Sequence, residues 1–136
     1  KKQHIEDFKN KVDIKKDPRK SIVLSVKDLA YNPMVKAIIA FSNSGSTAKL
    51  VSTMRPSVKI ITISPSINVS RQTSLLWGVE SVNSRDASGW RDMMDISKQI
   101  IKKDKSIKKN DHVIITAGLP FGHANMTNMI RFYKVV

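Results

Sequence analysis

Among 136 residues the chain has no cysteine, which excludes disulfide frameworks, thiolate zinc sites, iron–sulfur clusters and thiol nucleophiles together. Long apolar runs are also missing. Stretches such as Ala37–Phe41 and Val113–Ile115 fall far short of the roughly 20 residues that a membrane span needs, so no membrane partner is expected. The opening Lys1-Lys2-Gln3-His4 starts no apolar stretch of a secretory signal. The expected compartment is the cytoplasm, with an organelle such as the plastid as the other option. Histidines stand only at 4, 112 and 123, with no partner at metal-ligand spacing, and the only glutamates are Glu6 and Glu80. A metal site has no ligand set here, and no nucleophile has an assigned base.

Negative charge is scarce too: 24 Lys+Arg face 11 Asp+Glu, for a formal net charge of +13. Such a balance invites a nucleic-acid reading, but its texture argues otherwise. Eighteen of the 24 basic residues are Lys, whereas base recognition favours the planar fork of Arg. Few aromatics lie among them to stack bases. The excess concentrates in residues 1–20 and 98–112, in both cases mixed with Asp. Solvated Lys-rich helix faces are expected, and nucleic acid is not expected as a partner.

The length suits one domain, burying about two thirds of its unfolded surface. Residues 1–16, with Ile5, Phe8, Val12 and Ile14 amid charges, read as a helix or linker from a preceding domain. Residues 17–136 form the domain proper. Asp17-Pro18 marks a helix start, and that helix should end near Asn32-Pro33. From Lys36 strands and helices alternate. Ala37–Phe41 is a continuous apolar run of the kind buried on both faces. A loop, 42–47, and a helix from Ala48 to Met54 follow, closed by Arg55-Pro56. Lys59–Ile63 is a second strand, leading to a helix from Ser66 to about Trp77 that Gly78 should cap. Val79–Val82 is a third strand. A helix from about Ser88 to Lys103 carries Trp90, Met93, Met94, Ile96 and Ile100 as its inner stripe. His112–Ala117 is a fourth strand and about Thr127 to Val135 a last one. The expected fold is a three-layer α/β domain with a mostly parallel five-stranded sheet and helices on both faces. The last strand, reached by a loop too short for a crossover helix, should run antiparallel at an edge.

Ligands of such open sheets bind outside the carboxyl ends of the strands. The loop there after the first strand, Ser42-Asn43-Ser44-Gly45-Ser46-Thr47, has the composition of a phosphate cradle. Its hydroxyls can donate, Gly45 permits close backbone approach, and the next helix points N–H groups and its positive dipole end at the same place. No Gly-Lys-Ser/Thr follows, so it is not a Walker loop, and the Rossmann glycine pattern is missing. Helix capping alone would also account for Ser and Thr here. Asp92 and Asp95 read as surface pairing with Arg91 and Lys98, and Trp77 and Trp90 as packing residues.

In series, Ala37–Ala48 with its Ser-Gly-x-Thr-Ala loop, Arg55-Pro56, Arg71-Gln72, Gly78, Val113–Gly118, Thr127-Asn128 and Arg131 resemble the C-terminal domain of the pyruvate kinases, from about Asp17 to Val136. The resemblance implies a regulatory piece of a phosphotransferase that moves the phosphoryl group of phosphoenolpyruvate to ADP, using magnesium and potassium in a barrel domain. This domain would itself hold no cofactor or catalytic residue. It would bind a sugar phosphate or nucleotide monophosphate effector and help to build a homotetramer. The effector's phosphate would meet Ser42, Asn43, Ser44, Gly45, Ser46 and Thr47, with Trp90, Ser97, Gly118, Gly122 and His123 walling the rest. Animal members that respond to fructose 1,6-bisphosphate have Lys where Asn43 stands and Arg where Ser97 stands. Weak bisphosphate binding and a preference for a monophosphate are therefore expected. The same loop also resembles the Ser-x-Ser-Gly-x-Thr of sugar isomerase-like domains, but a catalytic isomerase would need a Glu or His base beside the sugar.

Overall fold

Buried isoleucines dominate the sheet's centre. Ile38, Ile39, Ile60, Ile61, Ile63, Ile114 and Ile115 are among the largest side chains with essentially no exposed surface, and truncating any one to Ala is expected to cost about 2–5 kcal/mol. The computed structural model describes residues 18–117 and 129–136. Within them the strands are β1 (Val35–Phe41), β2 (Lys59–Ser64), β3 (Val79–Asn83), β4 (His112–Ala117) and β5 (Met129–Lys134). They form one sheet in the order β3-β2-β1-β4-β5. The pairs β1–β2, β1–β4 and β2–β3 are parallel, whereas β5 runs antiparallel to β4 at the edge, as its short connection requires.

Among the described residues four helices cover the faces: α1 (Pro18–Leu29), α2 (Ser46–Thr53), α3 (Ile67–Thr73) and α4 (Trp90–Lys103). Val23 and Val26 of α1 and Val51 of α2 pack with Ile38, Ile60 and Ile114. Thr73 of α3 bonds Ser81 of β3 at 2.8 Å. On the other face Met93, Met94, Ile96 and Ile101 of α4 pack with Ile39, Ile61, Ile63, Val113 and Ile115. Alternate side chains of β1 thus enter opposite layers, which is why its sequence is apolar from Ala37 to Phe41.

Several boundaries differ from the sequence pattern. The helix expected to reach Trp77 stops at Thr73. Beyond it Leu75 is 88% exposed, so no apolar face continues, and Thr73 Oγ1 turns back to the Val69 carbonyl at 2.8 Å. Gly78 consequently caps no helix. At φ +70° it makes the turn into β3, and its carbonyl accepts from Ile60 N–H at 2.9 Å. In α4 the interior positions include Ser97 and Ile101, with Ile100 only partly buried. Thr127 and Asn128, expected to open the last strand, lie outside the described residues, as do 1–16 and the loop 118–125.

Candidate functional site

Strand order creates the site. From β1 the chain moves outward to β2, whereas β4, on the other side of β1, connects outward to β5. The carboxyl ends of β1 and β4 therefore meet at a topological switch point, the place where open sheets bind ligands. Residues 42–47 leave β1 at this point.

The loop is held by its own hydroxyls. Ser42, 4% exposed, accepts from Gly45 N–H at 3.0 Å. Ser44 Oγ accepts from Ser46 N–H at 3.4 Å and donates to Ser46 Oγ at 3.1 Å. Thr47 is also buried, while Asn43 and Ser44 are exposed. Gly45 takes the N-cap position of α2 with φ +88°, a region L-residues enter at a cost of about 1–2 kcal/mol. A Cβ there would stand 3.3 Å from Thr73 Cγ2 and 3.5 Å from Val69 Cγ1. The close approach that demands glycine is thus to α3.

The N-cap of α2 is Gly45, without a side-chain bond of its own, and the serine that reaches the first turn is Ser44, through the Ser46 N–H. Lys49 is the first α2 residue whose N–H reaches back within the turn, to Gly45 O at 3.0 Å. The N–H groups of Ser46, Thr47 and Ala48 precede it and have no intrahelical carbonyl. The first turn of α2 contains no acidic residue.

A cation reaches the loop from elsewhere in the chain. Arg19, in the first turn of α1, donates through Nη1 to Ser46 Oγ at 3.2 Å across 27 residues. An open cavity of about 500 Å³ is lined by Ser44, Gly45, Ser46 and Lys49 together with Gln72, Thr73 and Leu76. Sequence reading found the hydroxyls of the loop but missed Arg19 and the α3 wall, because only three-dimensional packing brings them there.

The remaining expected wall residues divide. Trp90 opens α4, half-buried, with Arg131 Cζ of β5 5.7 Å from its ring centroid, within cation–π range. Ser97 is fully buried, and its hydroxyl donates to Met93 O at 2.9 Å. Gly118, Gly122 and His123 lie outside the described residues.

The start of α4 is built differently. Asp92 pairs with Arg85 and accepts from Ser88 N–H at 2.9 Å and Ser88 Oγ at 3.3 Å. The Arg85 bond first, and then the Ser88 N–H, hold its carboxyl down to about 2. At the opposite end of the strands Lys59 pairs with Asp104 at 2.5 Å and Glu80 at 3.6 Å. Burial alone would raise Asp104, but bonds from Lys59 and Ser106 leave it below the usual carboxylate range. Among the described residues no three His, Asp or Glu side chains converge as metal ligands. No helix among them is long and apolar enough to cross a membrane.

An open, mostly parallel α/β sheet with a hydroxyl-lined helix start at its switch point defines a domain of the doubly wound class. The family model for the pyruvate kinase alpha/beta domain matches residues 20–133, and the chain belongs to that family. It is 36% identical over 115 residues to a pyruvate kinase of Staphylococcus aureus, covering 85% of this chain and 20% of that protein. Against a pyruvate kinase of Agrobacterium vitis it is 28% identical over 123 residues, covering 90% of this chain and 26% of that one. The chain thus spans about a fifth to a quarter of the length of these relatives.

Proposed function

We propose that this chain is the regulatory domain of a pyruvate kinase and binds the phosphate of a sugar phosphate or nucleotide monophosphate effector on residues 42–47. The observation that carries this reading is the start of α2. There a glycine cap, the hydroxyls of Ser44 and Ser46, and N–H groups without intrahelical partners converge at the switch point, with no acidic residue in the helix's first turn. A phosphate supplies the charge that such a helix end attracts.

Transfer of a phosphoryl group between phosphoenolpyruvate and ADP, with its magnesium and potassium, is assigned to a preceding barrel domain, and the isolated chain is expected to be inactive. A homotetramer of the parent enzyme is part of the same reading. So is a preference for a monophosphate such as glucose 6-phosphate, ribose 5-phosphate or AMP, since Asn43 is uncharged and Ser97 is buried. An isomerase would need a base beside the sugar, and Glu80 is ion-paired with Lys59 at the opposite end of the strands.

A thermal-shift screen tests the reading. An effector at 100 times its dissociation constant should stabilise the chain by about 2.7 kcal/mol. Thr47→Ala should abolish that shift, and an unchanged response would place the ligand elsewhere. Tighter binding of fructose 1,6-bisphosphate than of the monophosphates would overturn the preference.

A further inference from the structure

We propose that α3 is a lid: together with its cap and the turn that follows, residues 66–78, it lifts from the sheet as a unit and uncovers hydroxyl groups of β2 and β3 while the rest of the core stays folded. Among the described residues it is the one helix that gives no side chain to either apolar cluster, to which α1, α2 and α4 all contribute. The residues that α3 buries are Ser70 and Thr73. Of its two apolar residues, Ile67 is 54% exposed and Val69 is half-buried beside Gly45. The helix is thus polar inward, the reverse of the apolar stripe that holds a surface helix in place.

Local propensity does not replace the missing apolar face. Ile67, Val69 and Thr73 are β-branched, and the 7 residues of the helix fall below the roughly 12–15 at which an isolated helix persists in water. What remains is hydrogen bonding. Ser66 caps the start, accepting from Val69 N–H at 3.3 Å, and Thr73 Oγ1 meets Ser81 Oγ of β3 at 2.8 Å.

The surface under the lid is polar as well. Alternation along β2 puts Ile61 and Ile63 against α4 and turns Ile60, Thr62 and Ser64 to the opposite side. There Thr62 stands in register with Ser81, and Ser64 with Asn83. Thr62 is fully buried and Ser70 nearly so, yet neither Thr62 Oγ1 nor Ser70 Oγ has a hydrogen-bond partner. A buried hydroxyl without a partner is costly, and contact with water offsets that cost once the helix lifts. With one such group on β2 and the other on the helix packed against it, opening of α3 in particular becomes easier. The same motion carries Gln72, Thr73 and Leu76 off the cavity they line and withdraws Val69 and Thr73 from Gly45, so the lid also governs the room available to residues 42–47.

Amide hydrogen exchange of the whole 136-residue chain, followed by NMR, tests the proposal. The N–H groups of Ser70 and Ser74 are bonded to Ser66 O and Ser70 O. They are expected to exchange at least about a hundredfold faster than amides in the middle of α4, because segments with few apolar contacts open well below the global free energy. Thr62→Val should slow Ser70 and Ser74 about tenfold by removing an unpartnered hydroxyl from the closed state. Since Thr62 lies on β2, no change in helix propensity contributes. Thr116→Val is the control: that hydroxyl is equally buried but donates to Met129 O at 2.8 Å, and its loss should not slow exchange in α3. Exchange of α3 at the rate of α4 would overturn the lid, since the helix would then open only with the whole fold. So would a Thr62→Val chain in which α3 exchanges as fast as before or faster, because Thr62 would then be partnered or stay covered. The wild-type rates decide by themselves if that variant does not fold.

Discussion

Two helices, α2 and α4, begin at the same edge of the sheet and satisfy their first turns in opposite ways. α4 carries its own anion: Asp92 sits in the first turn, bonds back to Ser88 and is neutralised by Arg85. α2 carries none. Its cap is Gly45, its first turn has no acid, Arg19 bonds Ser46, and Lys49 lies one turn further on. A helix N-terminus attracts negative charge wherever it occurs. In the proposed reading, what separates a structural start from a receptive one is whether the chain has already supplied that charge.

The largest expected effect comes from removing the glycine that shapes the receptive start. Gly45→Ala puts a side chain into left-handed backbone and within 3.3 Å of Thr73 Cγ2. A loss of about 2–4 kcal/mol is expected, from strain plus overpacking, measurable by urea unfolding, and the response to glucose 6-phosphate should go with it. Gly78→Ala sharpens the point. That glycine also has positive φ, +70°, but its Cβ would meet nothing within 4 Å. Only the backbone term of about 1–2 kcal/mol should then appear, with effector binding intact.

Ser46→Asp would give α2 what α4 has. An internal carboxylate at the first helical position, beside Arg19, should stabilise the unliganded chain by about 0.3–1 kcal/mol and cut glucose 6-phosphate binding at least about tenfold. A variant that gained stability yet bound as before would break the comparison. The smallest effect concerns α4. The Asp92 carboxyl is held at about 2 by the Arg85 bond, below the ordinary range of a carboxylate, so its stabilising contribution is complete above the unfolded value and is lost as pH falls through the folded one. Asp92→Asn should lower the melting temperature at neutral pH. The gap from wild type should close between about pH 4 and pH 2, as linkage requires, whereas a gap constant with pH would show that the charge is irrelevant there.

Much of this architecture could be read locally. Ala37–Phe41, Lys59–Ile63 and His112–Ala117 announce buried strands because they are apolar or β-branched at almost every position, as two-sided burial demands. The antiparallel placement of β5 followed from the length of its connection alone. The loop 42–47 was also visible, since hydroxyls and a glycine between a buried strand and a helix are a local pattern. Less legible were the end of α3 and the role of Gly78. Leu75 and Leu76 extend an apolar pattern on paper, but Leu75 has nothing to pack against, and turn chemistry prevails over periodicity.

Residue order thus dictates element type, approximate boundaries and the chemistry of the loop, because propensity, period and capping act over a few residues. Packing alone decides that β1 and β4 are neighbours, that α3 presses on Gly45, and that Arg19 meets Ser46 across 27 positions. Those contacts join segments far apart in the chain, and their energy is gained only when several helices bury their apolar faces on the same sheet.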